Sequence, residues 1–211
     1  CKVRATSLTD EQGTVYKIVG LLMDIDAEKR ATQILKDEAQ RDGLTRLYNK
    51  NISRKKIEAM LAELDSKDKA ALFIIDMDNF KRINDNYGHM FGDVVLQDFA
   101  GELAKLFRTG DIIARIGGDE FLVFMNHIPD EEIVKARAKL IIEASHKIFK
   151  NNQIAFTPSC SIGVSFFAKD GQNYEDLFQR SDEALYEAKA KGKNTFVIYR
   201  RRKRKNGELL H

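Results

Sequence analysis

Two apolar runs, Ile112 to Ile116 and Phe121 to Met125, stand on either side of Gly117-Gly118. Short apolar runs separated by a glycine turn predict two antiparallel strands in a hairpin, and the other elements must be fitted around it. On the N-terminal side, Ile57, Met60, Leu61 and Leu64 have helical spacing. Ala71 to Asp76 reads as a buried strand, and Val95, Phe99, Leu103 and Leu106 mark a second helix. Beyond the hairpin come a helix through Ile133, Ala136, Leu140, Ile141, Ala144 and Ile148, a strand near Ser159 to Phe167, a helix from Tyr174 to Ala190 and a strand from Thr195 to Tyr199. The order α-β-α-β-β-α-β-α-β predicts an α+β fold, with helices flanking a mixed sheet of about five strands that contains the hairpin.

The first 26 residues read differently. Val3 to Thr6 and Val15 to Asp24 predict strands around the turn Asp10 to Gly13, about one hairpin and too little to bury a core alone. From Ala27 to Arg41 the composition becomes helical, with a narrow stripe of Ala27, Ala31, Ile34, Leu35 and Ala39. Such a stripe suits either a connector helix paired with a copy of itself or a helix lying on its own domain. The expected divisions are a domain remnant at 1–26, a connector at 27–41, the main domain at 42–199 and a basic tail at 200–211.

Composition limits the function classes. At 211 residues, with 43% hydrophobic and 32% charged residues, the chain can bury one core and carry an appendage. No apolar run approaches the roughly 20 residues of a membrane helix. The net charge is +3, but the six cations from Arg200 to Lys205 more than account for it. The remainder is net acidic and does not read as a nucleic-acid surface; the terminal basic run reads as a solvated or membrane-proximal tail. Cys1 and Cys160 have neither disulfide nor metal-site spacing, which fits a reducing, cytoplasmic compartment. A start at Cys1 rather than Met suggests a piece of a longer protein, whose membrane attachment, if any, would lie upstream.

Several segments could do chemistry. Asp76 and Asp78, at i and i+2 at the end of an apolar strand, would share one face and offer the hard oxygens that Mg²⁺ on a nucleotide phosphate takes. Taken alone, such a pair is as readily a surface feature. Gly117-Gly118 would permit positive φ and close approach of a phosphate, with Asp119 and Glu120 beside the turn; a plain hairpin with polar neighbours is the alternative. Lys81 follows the acidic strand end, and Lys189, Lys191 and Lys193 cluster near Gly192. Spacing alone favours a solvated helix end for the second group, and the P-loop pattern is absent because Glu187 and Asn194 break it. Asn84 and Asp93 could supply the donors and acceptors that a guanine edge requires.

In order along the chain stand Asp42-Gly-Leu-Thr-Arg-Leu-Tyr-Asn49, Asp76-Met-Asp-Asn-Phe-Lys-Arg-Ile-Asn-Asp85, Gly88-His89, Gly92-Asp93, Arg115-Ile-Gly-Gly-Asp-Glu-Phe121, Ser161-Ile-Gly163 and Ala184 to Asn194. From about Arg41 to Tyr199 the chain resembles the GGDEF family of diguanylate cyclases, whose fold is like that of nucleotidyl cyclases and the polymerase palm. The resemblance implies condensation of two GTP into cyclic di-GMP and two pyrophosphate by a homodimer of half-sites. It implies Mg²⁺, or Mn²⁺, on Asp76, the Met77 carbonyl and Asp119. Asp119 would also accept the 3′-hydroxyl proton, with Glu120 supporting it and Lys81 stabilising transition-state charge. Phe80, Asn84, Asp93, Gly117, Gly118, Lys189 and Lys193 would bind substrate, and Asp42 would pair with Arg115. Lys193 stands where the family commonly has Arg, keeping the charge without the fork; Arg46 stands where Gly is frequent.

Arg108-Thr-Gly-Asp111 matches the family's R-x-x-D site, at which cyclic di-GMP acts as inhibitor. The alternative is a helix-ending Arg followed by a strand-starting Asp. Asp10-Glu-Gln-Gly13 and Gly20 to Asp26, leading into Glu28-Lys29-Arg30, resemble the end of a PAS sensor domain. A catalytically silent GTP or cyclic di-GMP sensor is the rival reading, but it would be expected to have lost a metal carboxylate, and Asp76, Asp119 and Glu120 are all present.

Overall fold

The structure, a computed structural model, describes residues 2–23, 30, 38–65, 67–147, 149–150 and 155–201. It divides into two compact units, Cys1–Gln40 and Arg41–His211. The first contains β1 (Lys2–Thr9) and β2 (Val15–Met23), paired antiparallel from Lys2↔Met23 to Thr9↔Val15. The Asp10 carboxylate closes their turn by accepting from the N–H groups of Gln12 and Thr14, and Gly13 adopts φ +81°. Leu8, Val15, Ile18 and Val19 of this pair are exposed, Ile18 at 70%. Of the expected connector at 27–41, residue 30 and residues 38–40 are described as helix and Arg41 forms an isolated antiparallel bridge with Tyr48; the rest of it lies outside the described residues, as do residues 202–211 of the basic tail.

The second unit holds β3 (Tyr48–Asn49), α1 (Lys50–Glu63), β4 (Ala71–Met77), α2 (Phe80–Tyr87), α3 (His89–Lys105), β5 (Ile112–Arg115), β6 (Glu120–Met125), α4 (Glu131–Ser145), β7 (Phe149–Lys150), β8 (Ala155–Phe156), β9 (Cys160–Phe166), α5 (Tyr174–Ala190) and β10 (Phe196–Ile198). One mixed sheet has the order β10-β9-β4-β6-β5-β3. The outer pairs β10–β9 and β3–β5 are parallel; the inner pairs are antiparallel. The sheet therefore has six strands rather than about five. Its sixth, β3, is two residues long and too short to carry a period.

All seven residues of β4 are buried, because helices cover both sheet faces. Phe73, Ile75, Phe121 and Val123 pack on one face with Phe99, Leu103, Val134 and Ile141 of α3 and α4. Leu72, Ile74, Leu122 and Phe124 pack on the other with Ile57, Leu61, Leu177 and Leu185 of α1 and α5. Alternation along each strand divides the two sets. Cys160 is buried in the first core, where burial pushes its thiol up to about 12 and makes it inert.

Two departures from the sequence expectation shape the site. The second expected helix is preceded by another, α2, and the two meet at Gly88, whose φ of +85° no β-carbon-bearing residue adopts comfortably. Helix α4 ends at Ser145, short of Ile148, which lies outside the described residues; the β7–β8 hairpin follows. Among the described residues no helix is long and apolar enough to cross a membrane.

Candidate active site

The central strand delivers Asp76 to the sheet edge. Register places it opposite Glu120 of β6 on one side and Ser161 of β9 on the other. The N–H of Met77 donates to the Asp119 carbonyl at 3.1 Å, fixing the hairpin turn beside the strand end. The N–H groups of Ile116 and Gly117 both point at the Glu120 carbonyl, at 2.9 and 3.4 Å. Neither turn glycine has positive φ: among the described glycines only Gly13, Gly88 and Gly192 do. A β-carbon on Gly117 would stand 2.5 Å from Glu120 Oε2, whereas Gly118 faces open space.

The Arg115 guanidinium holds the turn from below. It donates to the Gly118 carbonyl from Nε at 3.1 Å and from a terminal nitrogen at 2.7 Å, and its other terminal nitrogen reaches Asp42 Oδ1 at 3.1 Å. Asp42 and Arg115 pair as the sequence suggested. Burial alone would raise the Asp42 carboxyl, but the Thr45 hydroxyl and N–H together with Arg115 outweigh it and hold the group below its ordinary range. A depressed carboxyl contributes stability above its unfolded pKa and loses it as pH falls through the folded one. Asp42→Asn is therefore expected to lower the denaturant midpoint at pH 7 and to flatten its decline towards pH 3, as urea titrations at several pH values would read.

Asp76 is the opposite case. Burial pushes its carboxyl up, Lys189 Nζ at 2.7 Å opposes this, and the charges of Asp119 and Glu120 reinforce it. Excess negative charge concentrated at a buried strand end is what a divalent cation would relieve. Among the described residues no three acidic, His or Cys side chains gather into a closed metal cage. Two carboxylates with a neighbouring main-chain carbonyl suit Mg²⁺, which retains several waters and takes few protein ligands.

The lysines do more than end a helix. Lys189, in the last turn of α5, pairs with Asp76. Gly192, Lys193 and Asn194 follow at φ +110°, +66° and +48°, and this left-handed path sends Lys193 Nζ to Asn79 Oδ1 at 2.6 Å. Lys191 is the solvated member, bound to Glu187 one turn back at 2.8 Å. Lys81 is exposed in the first turn of α2.

Asp78 parts company with Asp76. It is 4% exposed; its Oδ1 accepts from the Ser161 hydroxyl at 2.7 Å, and its Oδ2 from the Ser159 hydroxyl at 2.7 Å and the Asn194 N–H at 2.9 Å. Of the two carboxylates of the strand end, the second thus has donors on both oxygens, while the first faces Lys189. Nothing in the local sequence announces this, because Ser159, Ser161 and Asn194 reach Asp78 only through β9 and the α5–β10 loop.

At the α2–α3 corner, Asn84 Oδ1 is buried without a hydrogen-bond partner. It lies against Gly92, where a β-carbon would come within 2.0 Å of it and 3.0 Å of Phe80 Cζ. Glycine is required here for close approach. Asp93, the next residue, is exposed. A buried amide oxygen without a partner retains the capacity to accept an N–H.

The Arg108–Asp111 turn lies at the other end of β5 and β6. Arg108 Nε is 3.6 Å from Asp111 Oδ1, and a terminal guanidinium nitrogen donates to the Asn126 carbonyl. Asp111 also accepts from the Arg108 N–H at 3.3 Å and the Asn126 N–H at 3.4 Å. Both residues border a cavity of about 210 Å³ with His127, Pro129 and Arg137.

Comparison with known proteins places this geometry. The family model for the diguanylate cyclase GGDEF domain matches residues 39–195. The chain is 37% identical over 191 residues to diguanylate cyclase DgcP of Pseudomonas aeruginosa, covering 89% of this chain and 28% of DgcP. It is 32% identical over 176 residues to cyclic di-GMP phosphodiesterase PdeR of Escherichia coli, covering 83% of this chain and 26% of PdeR. The chain thus spans little more than a quarter of either relative. Its fold matches the GGDEF domain of DgcB from Caulobacter crescentus, crystallised with c-di-GMP, with TM-score 0.71 and 27% identity over 76% of this chain and 95% of that one. Sheet order, the Gly117 to Phe121 hairpin and the family match over most of the second unit agree: the chain belongs to the GGDEF diguanylate cyclase family.

Proposed function

We propose that the domain is an active diguanylate cyclase, each copy binding one GTP and two copies meeting to form cyclic di-GMP and two pyrophosphate. The observation that carries this reading is the complete set of Asp76, Asp119 and Glu120 around one strand end, faced by Lys189 and with the unpartnered Asn84 oxygen at the α2–α3 corner. Asn84 and Asp93 read the guanine edge, with Phe80 and Gly92 forming its wall. Gly117 and Gly118 leave room for the phosphates beside the turn, while Lys189 and Lys193 hold their outer end.

Asp76, the Met77 carbonyl and Asp119 would hold Mg²⁺, or Mn²⁺, which neutralises triphosphate charge and lowers the pKa of a bound hydroxyl. Asp119 accepts the 3′-hydroxyl proton, with Glu120 beside it. The freed oxygen forms a bond to the α-phosphorus of the partner's GTP, and the bond from that phosphorus to pyrophosphate breaks. Lys81 stabilises the charge that develops on the phosphoryl oxygens. Because each nucleotide is nucleophile in one bond and electrophile in the other, the productive pair is an isologous dimer. In the parent protein a PAS-like segment and the connector helix would set that pairing, and the domain would work in the cytoplasm.

Purified protein incubated with GTP and Mg²⁺ should yield cyclic di-GMP by mass spectrometry. Absence of product would sink the enzyme reading and favour the silent sensor. The rate at low protein concentration should rise more steeply than linearly, as an encounter of half-sites requires. The Arg108–Asp111 cavity is proposed as the product site: Arg108→Ala should carry turnover past the point at which the parent stalls, and an unchanged plateau would remove it from that role.

A further inference from the structure

Asp78 is a buried charge that the chemistry above does not use. Three donors cover its two oxygens, and they come from two separate parts of the chain: the hydroxyls of Ser159 and Ser161 at the head of β9, and the main-chain N–H of Asn194. Its own N–H donates to the Ser159 carbonyl at 2.8 Å. With its lone pairs so engaged it has little left to give a cation. Its neighbours complete a pattern: Asp76 takes Lys189 and Asn79 takes Lys193. Three nearby side chains of one strand end therefore pin successive points of the α5–β10 corner.

That corner needs pinning. Gly192, Lys193 and Asn194 all have positive φ, and the last two are not glycine. Side-chain-bearing residues hold such conformations only where surrounding contacts over-determine them. Gly192 and Lys193 are tied back to α5 by their N–H groups, which donate to the Lys189 and Ala188 carbonyls at 3.3 and 3.2 Å, whereas Asn194 is held from outside the helix, through its N–H by Asp78 and through Oδ1 by His146 Nε2 at 2.7 Å, at the end of α4.

We propose that Asp78 is a positioning residue for the nucleotide's phosphates: by holding the Asn194 main chain it keeps Lys193 aimed at the acidic strand end. This rests on the GTP-site reading above, and it assigns Asp78 no direct contact with metal or substrate. His146 braces the same loop from the opposite side.

The test is calorimetric binding of 3′-deoxy-GTP, which lacks the attacking hydroxyl, compared with GMP, which lacks the outer phosphates, both with Mg²⁺ present. Asp78→Ala is expected to weaken 3′-deoxy-GTP about 10- to 100-fold, the range set by losing a hydrogen bond to a charged group, while changing GMP less than about twofold. Asp78→Asn keeps an acceptor for Asn194 and should restore most of the affinity. His146→Ala, at the C-terminal end of α4, should weaken 3′-deoxy-GTP alone by a smaller factor, so the proposal stands tested even if Asp78→Ala does not fold. Equal weakening of both nucleotides, a raised Mg²⁺ requirement in Asp78→Asn, or unchanged binding in Asp78→Ala would each overturn it. A parent that binds neither nucleotide would instead overturn the reading of the site, and this inference with it.

Discussion

Asp76→Asn is expected to abolish cyclic di-GMP formation while leaving the domain at least as stable as the parent. The two halves have one cause. The Asp76 side chain is only 12% exposed, and burial and the nearby charges of Asp119 and Glu120 raise its carboxyl against the pull of Lys189. A carboxyl whose pKa is higher folded than unfolded binds its proton more tightly in the native state. Its ionisation at neutral pH therefore costs stability, and the cost disappears as pH falls below the unfolded value. The amide removes the charge and with it that cost. Catalysis depends on the same charge: losing a metal carboxylate removes several kcal/mol of transition-state stabilisation, about three orders of magnitude in rate. A melting curve and a GTP turnover assay on one preparation check both halves. Retained turnover would remove Asp76 from the site; a large fall in melting temperature would recast it as a structural ion-pair partner. Asp119→Ala should show the same loss of turnover.

Gly163→Ala is expected to cost more stability than any exposed substitution. A β-carbon at this point of β9 would lie 1.9 Å from the Ser181 carbonyl oxygen and 2.3 Å from the Leu185 N–H nitrogen, both main-chain atoms of α5. No side chain can rotate aside, so helix and strand must separate. Packed against them are the Ser181 hydroxyl, donating to the Leu72 carbonyl at 2.9 Å, and the Ser165 hydroxyl, donating to the Leu177 carbonyl at 2.8 Å. Overpacking usually costs about 1–3 kcal/mol, and a main-chain collision belongs at the top of that range or above it. Chemical denaturation should show a fall of about 3 kcal/mol or failure to accumulate folded protein. Because α5 carries Lys189, the variant should also lose GTP affinity; a fall below about 1 kcal/mol would mean that helix and strand are not locked at this point.

The sequence made much of the fold legible. Period-two and period-3.6 patterns located α1, β4, α3, β5, β6, α4, β9, α5 and β10, because those elements bury defined faces. The shortest elements of the main domain were not legible, although the exposed β1–β2 pair was read from its turn residues. β3 has two residues, and α2 buries only Phe80 and Ile83. The β7–β8 hairpin was overrun by a helical pattern projected through Ile148. The turn glycines were legible as a turn, but neither adopts the positive φ that glycine would permit, and a β-carbon on Gly117 would meet the Glu120 side chain.

What the sequence alone determined was the kind of domain: ordered blocks of residues that only a nucleotide-handling hairpin and an acidic strand end bring together. Those blocks are local, and local spacing fixes local geometry. The tertiary structure decided how differently two neighbouring carboxylates are partnered. Asp76 and Asp78 are equivalent in a strand pattern, but antiparallel pairing with β9 brings Ser159 and Ser161 to the second, the left-handed loop after α5 brings the Asn194 N–H to it, and the last turn of α5 brings Lys189 to the first. Partners more than 80 residues away in the chain set those charges, and no spacing rule within a segment can express that.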